Sequence, residues 1–574
     1  MMMPNSYGVR KIQQVQFDGY NHTKSCSDGQ IYDMKNISSR AFPYLRPIRS
    51  RSAFGHSCNH ALFAHNALGW VIDNHLFYDN RLIGEVENSP KTIVTMGNRI
   101  IIWPDKLVLN ASYKVLGLFD SLDSIKAAVE NPKEGDAYGA LPGDLPAEIF
   151  VWNGRDWVSN GPELQPMGNK ATFVNVKFKS GTYHEVEADA NTMEFLENVE
   201  NKGFKVGDGV TISGCIKHPE NNKTAIIREI EGNQIRFYEN AFVLDGEDGL
   251  TDYTEPGIIT MSRDIPDLDV ICSIGNRLWG AKGDTIYASK LGDPQNFNVF
   301  DGLTDDSWFQ STGTAGDFTG AVAYLGYPIF FKEQKIFKIF GANAENYEFS
   351  QSATMGVKQG ASRSLAIAGE VLFYLSPNGL VSYTGGLPES AAAPFGEVGY
   401  ANAVCGSDGR RLYASMERET GERELFCLDT ETGILTKEDD LAAADWCCFG
   451  GVLYALKETG NAVVVNADNG KNCPDSCVEF GAFLEGTMNR KGTNRLQMRI
   501  VADEGAEIRV LVHYDFDATG IWHEEEVLTA TRRQSFSFPI RLKRCDSYQI
   551  KIEGHGYWEV QALAREFYVG SDSH

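Results

Sequence analysis

The sequence predicts a mainly β protein: a β-propeller carrying inserted small β domains and followed by a C-terminal β-sandwich. Three observations predict it: a recurring glycine-led pattern, one long break in its spacing, and strict alternation after it stops. The pattern is Gly, one or two residues, an apolar run, a polar turn and a second apolar run. It starts at Gly275, Gly326, Gly369, Gly409 and Gly451, at spacings of 51, 43, 40 and 42. A period of roughly 40–50 residues with paired β runs is the spacing of propeller blades. One twisted sheet cannot bury both faces alone, whereas stacked blades cover one another.

Turn chemistry supports the repeat. Leu428-Asp-Thr-Glu-Thr-Gly433 and Val465-Asn-Ala-Asp-Asn-Gly470 each close a strand with side chains that bond their own backbone, then a glycine. Earlier, Gly69–Asp73, His75–Tyr78, Arg81–Gly84, Lys91–Thr95, Arg99–Trp103 and Leu107–Leu109 predict the first blades, in 57–119. From Gly97 the next clear start is 178 positions away, so an insertion occupies 120–262.

The insertion divides into two pieces. In 120–165, Ser121–Val129 predicts a short amphipathic helix, and Ile149–Val158 an aromatic hairpin around Asn153-Gly154. The second, 170–245, predicts a small β-barrel with a helix at Asn191–Asn201. The remaining blades fill 263–477. Residues 478–574 alternate apolar and polar in Leu496–Ile500, Glu507–Val512, Ser535–Phe538, Tyr548–Ile552 and Tyr557–Val560, the pattern of half-buried antiparallel strands in a sandwich.

Residues 1–56 predict an extended arm, rich in turn formers and held extended by Pro43 and Pro47. It carries eight basic against three acidic side chains, whereas 57–477 carries 33 basic against 59 acidic, and 478–574 twelve against fifteen. Such an arm fits either the blade edges of its own subunit or the acidic surface of a neighbour. The net charge of −24 argues against a protein that grips nucleic acid, though not against a conduit through which DNA slides. No run of about 18 apolar residues predicts a membrane span, and Met1–Gln16 shows no secretion signal. Eleven cysteines, including the vicinal Cys447 and Cys448, predict free thiols.

Candidate chemistry is sparse. His56, Cys58, His60 and His65 are close in sequence, but their spacing defines no metal set on one strand face, and rim or interface histidines are the favoured reading. Cys473-Pro-Asp-Ser-Cys477 lacks a second pair and predicts a linker with free thiols. Asp245-Gly-Glu-Asp-Gly249 departs from the EF-hand order and predicts a solvated loop. Asp73, Asp105, Asp284 and Glu333 are the acids a glycosidase would draw on, but they fit turn or rim positions better. No phosphate loop, nucleophile elbow, zinc-helix motif or dinucleotide fingerprint is present. No catalytic residue, cofactor or metal is predicted.

Taken together, Asp33–Asn36 with Pro43–Arg46, Ile100–Lys106, Asn276–Gly280, Gly283–Pro294, Asn298–Gly302, Phe330–Glu333 and Pro539–Asp546 resemble a family of bacteriophage virion proteins common in prophages of Gram-positive bacteria. The resemblance implies a non-enzymatic tail, nozzle or head–tail connector subunit. It implies a homo-oligomeric ring, commonly sixfold, and other tail or connector proteins as partners. DNA would pass through the channel without sequence-specific binding, and the protein would reside in the virion after assembly in the host cytoplasm. Two other roles stay open: host recognition through cell-wall glycan, by 478–574 or the insert, and glycan hydrolysis.

Overall fold

The computed structural model describes the chain except residues 1–7, 27, 142, 144, 183–187, 239–240, 248, 250, 468–469, 516, 518, 531–533, 539–542 and 570–574. It is mainly β, and it divides into two compact units: residues 65–356, and residues 1–64 with 357–574.

In the 65–356 unit the blades are small antiparallel meanders. One is Thr92–Met96, Arg99–Trp103, Leu107–Asn110 and Leu164–Pro166. The next is Val270–Ile274, Arg277–Lys282, Thr285–Ala288 and Trp308–Ser311, and then Gly320–Tyr324, Tyr327–Lys332, Lys335–Phe340 and Glu348–Ala353. Their first strands lie side by side, as propeller blades require. Between them sit shared cores, one formed by Trp103, Leu268 and Leu278, another by Trp279, Phe330 and Phe337. The three strands Leu68–Ile72, His75–Tyr78 and Arg81–Glu85 form a further meander.

The other unit repeats the plan. Its blades begin at Ala366–Ala368, Tyr400–Ser407 and Ala443–Phe449, adjacent in that order, with Ala61–Ala64 beside the last. Tyr413, Leu425, Leu453 and Val463 fill the core between the final two.

In four of the five starts the repeated glycine has one physical cause: it lies in the two-residue turn joining the first and second strands of a blade, where both residues take left-handed backbone. Gly275-Asn276, Leu325-Gly326, Gly369-Glu370 and Gly450-Gly451 all do so, with φ between 50 and 82°. Leu325, at φ 50°, is the strained member of the set. Gly409, at φ 97°, instead sits in a longer turn between Ser407 and Leu412.

The first piece of the insertion interrupts one blade between its third and fourth strands, and the second follows that fourth strand. The chain leaves after Asn110, builds a sheet of Val115–Phe119, Ala137–Ala140, Glu148–Trp152 and Trp157–Pro162, and returns as Leu164–Pro166. The predicted helix is Leu122–Ala128, capped by the Ser121 side chain accepting from the Ser124 N–H, and Asn153-Gly154 does turn the hairpin. The second piece is larger than predicted: eight strands from Asn169–Phe173 to Ile259–Arg263 around one core that includes Phe178, Met193, Phe195, Ile227 and Phe237. Two expectations are corrected here. Among the described residues the strand order is open, ending on Asn169–Phe173 and Tyr253–Thr254 rather than closing as a barrel. No helix spans Asn191–Asn201, because Ala188–Glu194 pairs on both sides, with Lys177–Thr182 and Gln234–Phe237.

The C-terminal alternation does form a sandwich, but not from 478–574 alone. One sheet is Val9–Gln14, Trp558–Val569, Lys491–Ala502 and Gln534–Phe538. The other is Ile31–Lys35, Ser476–Phe480, Tyr548–His555, Ala506–Tyr514 and His523–Ala530. The described residues of 8–56 are therefore no separate arm: they give the sandwich an outer strand in each sheet and then run across the blades of the same unit.

Candidate functional site

What the N-terminal segment does is visible in its charges. Arg51 bonds Glu438 at 3.1 Å and Asp439 at 2.9 Å, with both carboxylates largely buried. Ser39 donates to Glu438 at 3.0 Å, and Arg40 donates to the Tyr413 hydroxyl at 2.7 Å. Burial pushes the Glu438 carboxyl up, against the pull of Arg51 and Arg40. Arg49 donates to the Gly470 carbonyl and lies over the Tyr557 ring at 4.9 Å. Close by, burial opposes ionisation of Glu424. The hydrogen bond from Arg418, with Lys437 beside it, outweighs that and holds the carboxyl below its usual range. Lys437 also pairs with Asp33. Arg51 of the segment thus meets buried acids of its own unit, and Lys24 pairs with Glu397 on its surface.

Beside this network the five-stranded sheet exposes a mixed-charge face. Register places Lys35, Cys477, Glu553 and Arg509 in one row, and Asp33, Glu479, Lys551 and Leu511 in the next. A groove of about 580 Å³ opens at its end, lined among others by Lys35, Asp475, Glu507, Arg509, Glu553 and His555. Donors and acceptors alternate along it and pair internally: His555 with Asp475 at 2.6 Å, Arg509 with Glu507 at 2.8 Å, and Lys551 with Glu553 at 2.9 Å. Such a surface suits a hydroxyl-rich ligand.

It does not suit covalent catalysis. Asp475 and His555 flank Ser476 in space, yet Ser476 is buried, accepts from the Trp558 indole at 2.9 Å and points to the Gly554 carbonyl. Burial pushes the Cys477 thiol up to about 12, away from thiolate. The sequence reading missed this face because it needs the strand Ile31–Lys35 beside Ser476–Phe480, more than 400 residues later.

Three of the four acids, Asp105, Asp284 and Glu333, occupy one topological position, the turn between the second and third strands of a blade, and Asp73 also lies in a turn between paired strands. Asp73 follows Leu68–Ile72 and has left-handed backbone. Asp105 pairs with the buried Lys91 at 2.7 Å and accepts from the Glu87 N–H. Asp284 accepts from Ser311 and Thr285, and the Ser311 hydroxyl holds its carboxyl below the usual range. Glu333 follows Tyr327–Lys332, where its carbonyl receives the Gly356 N–H. Each lies in a different sheet from the others.

The remaining candidates are equally local. His56 packs edge-on to Phe54, burial pushes the Cys58 thiol up to about 11, His60 lies in the same stretch, and His65 falls in the other unit. Among the described residues no group of three or more His, Cys, Asp or Glu is arranged for a metal. Cys447 is buried and Cys448 exposed, as neighbours on one strand must be, and none of the eleven cysteines is disulfide-bonded. Cys477 lies in a sandwich strand rather than in the expected linker. Asp245 accepts from Lys217 and from His218, while Asp248 lies outside the described residues. So do Asp468 and Asn469 of the second predicted turn, and 539–542 of the last resembling segment. The first turn is as expected: Asp429 accepts from the Glu431 and Thr432 N–H groups, and Gly433 is left-handed.

No family model matches this chain, and no curated protein matches it. Among solved structures it is similar to PorZ, a bacterial surface component of the type-IX secretion system of Porphyromonas gingivalis, at 9% identity over 89% of this chain and 77% of that one, with a TM-score of 0.25. An exo-β-1,3-galactanase from Phanerochaete chrysosporium matches at 10% identity over 51% and 94%, with a TM-score of 0.20. A putative 6-phosphogluconolactonase from Bacteroides uniformis matches at 11% over 69% and 96%, with a TM-score of 0.22. Likeness at this level carries no weight for chemistry or role.

Proposed function

We propose that this chain is a non-enzymatic structural subunit of a bacteriophage virion, a tail, nozzle or head–tail connector component that assembles with further copies around the path of exiting DNA. One observation carries it: every candidate catalytic acid lies in a turn between strands, while buried ionic groups tie the N-terminal segment to the blades of its own unit. Charged side chains placed in that way make a rigid scaffold rather than a reaction centre. The resembling segments from Asp33 to Glu333 support the virion reading, and the acidic composition fits a surface past which DNA moves without adhering.

The test is light scattering on the purified protein, with negative-stain imaging and a search for the chain in purified phage particles. Discrete oligomers and presence in the particle are expected. A chain that stays monomeric at every concentration and is missing from particles overturns the reading.

The groove at Arg509 and Glu553 favours a second reading, host recognition by binding glycan. There, the full-length protein would bind cell-wall glycans on an array, and Arg509→Ala would abolish the signal. Equal binding by the variant would exclude that groove.

A further inference from the structure

We propose that the strand Val9–Gln14 is exchanged between copies, pairing with the Trp558–Val569 edge of a neighbouring subunit. The inference rests on the reading of this chain as an assembling subunit.

Val9–Gln14 is held differently from the rest of the N-terminal segment. Five of its six residues are exposed and the sixth is half-buried, with Val9 at 53% and Ile12 at 37%. It contributes almost no side chain to a core. What it does contribute is backbone: a six-residue antiparallel ladder from Val9 opposite Tyr568 to Gln14 opposite Leu563. Lys11 stands opposite Glu566, and Arg565 donates to Gln14 at 3.4 Å.

The accepting edge has more at stake. Leu563, Arg565 and Phe567 are buried, and Arg565 is tied to the buried Glu485 at 2.7 Å. Without a partner that strand would be an open edge, with unpaired N–H and C=O groups beside a filled core. The edge therefore needs a strand, while the strand needs only an edge. An intermolecular ladder would reproduce every contact of the intramolecular one, which is the condition under which exchange between identical copies costs little. Local concentration in an assembly then decides between them.

The hinge is equally marked. Just two residues, Val15 and Gln16, separate the strand from Phe17, which is 2% exposed and whose N–H bonds the Pro43 carbonyl. Tyr20 follows, bonded to the Leu435 carbonyl at 2.7 Å. Gly19 runs so close to Leu435 that a Cβ there would meet its oxygen at 2.5 Å. Phe17, Gly19 and Tyr20 are thus fixed to their own unit. Eight extended residues reach roughly 27 Å, so the accepting edge must lie within that distance of Phe17.

The experiment mixes two full-length single variants, Lys11→Cys on a tagged copy and Glu566→Cys on an untagged one, and cross-links them by oxidation or with a short bismaleimide. The unsubstituted chain sets the background from Cys448. A tagged–untagged adduct, confined to the assembled fraction and mapped to residues 11 and 566, supports exchange. Removing residues 8–14 should then reduce assembly at least tenfold while the melting transition stays in place. Assemblies that form without a mixed adduct, with cross-linking only inside a Lys11→Cys/Glu566→Cys double variant, overturn exchange and leave the proposed function standing. A chain monomeric at all concentrations with no mixed adduct overturns both.

Discussion

Val9–Gln14 and Ile31–Lys35 are both outer strands of the same sandwich, both donated by the N-terminal segment, and they are held by different forces. The first lies on its sheet with its side chains in solvent. The second buries Ile31 and Met34 at 0 and 1% exposure, and Asp33 pairs with Lys437. The comparison teaches that ladder hydrogen bonds set where a strand pairs, whereas buried side chains and desolvated ion pairs decide how firmly it stays. Net hydrogen-bond contributions are only about 1 kcal/mol each, because water competes for the same groups.

The sharpest way to break the comparison is Arg51→Ala. It leaves Glu438 and Asp439 buried without their partner, so urea unfolding should show a loss of about 3–5 kcal/mol. Next is Gly19→Ala, which forces a methyl against the Leu435 carbonyl. A loss of about 1–3 kcal/mol is expected from the backbone shift, read as a lower denaturation midpoint with heightened proteolysis within residues 17–56.

Acid should loosen the fixed portion selectively. The Glu424 carboxyl is depressed in the folded chain, so its stabilisation is present above the unfolded carboxylate range and lost as pH falls through the folded value. Denaturation midpoints of the wild type should fall between about pH 5 and pH 3. Glu424→Gln should be less stable at neutral pH and show a shallower decline. Parallel pH profiles would refute the assignment. The smallest effect belongs to the exposed strand: Ile12→Ala should change stability by less than about 0.5 kcal/mol. A loss above about 2 kcal/mol would show that this strand is core-bound like its counterpart.

Much of the blade architecture was legible because its signals are local. A left-handed two-residue turn favours Gly or Asn, so Gly275-Asn276 and Gly450-Gly451 announce themselves. Ser121 and Asn153-Gly154 marked a helix start and a hairpin in the same way. In the Asn191–Asn201 segment the first four residues are strand, not helix, because Ala188–Glu194 is paired on both sides by strands that lie outside it in sequence. The acids were legible as turn residues. The mixed-charge groove was not, since its rows combine Lys35, Cys477, Glu553 and Arg509 from four separated stretches.

The sequence by itself determined the strand-and-turn repeat, the break at the insertion and the alternation of the sandwich, since backbone sterics and side-chain period act over a few residues. Tertiary structure alone decided where residues 8–56 belong. Their partners, Val478, Glu438 and Phe567 among them, lie about 400 to 550 residues away. Basic and turn-rich composition is equally compatible with a neighbour's surface. Only the burial of Ile31, Met34 and Arg51 against particular residues separates the two, because desolvation depends on what surrounds a group in space, not on what adjoins it in the chain.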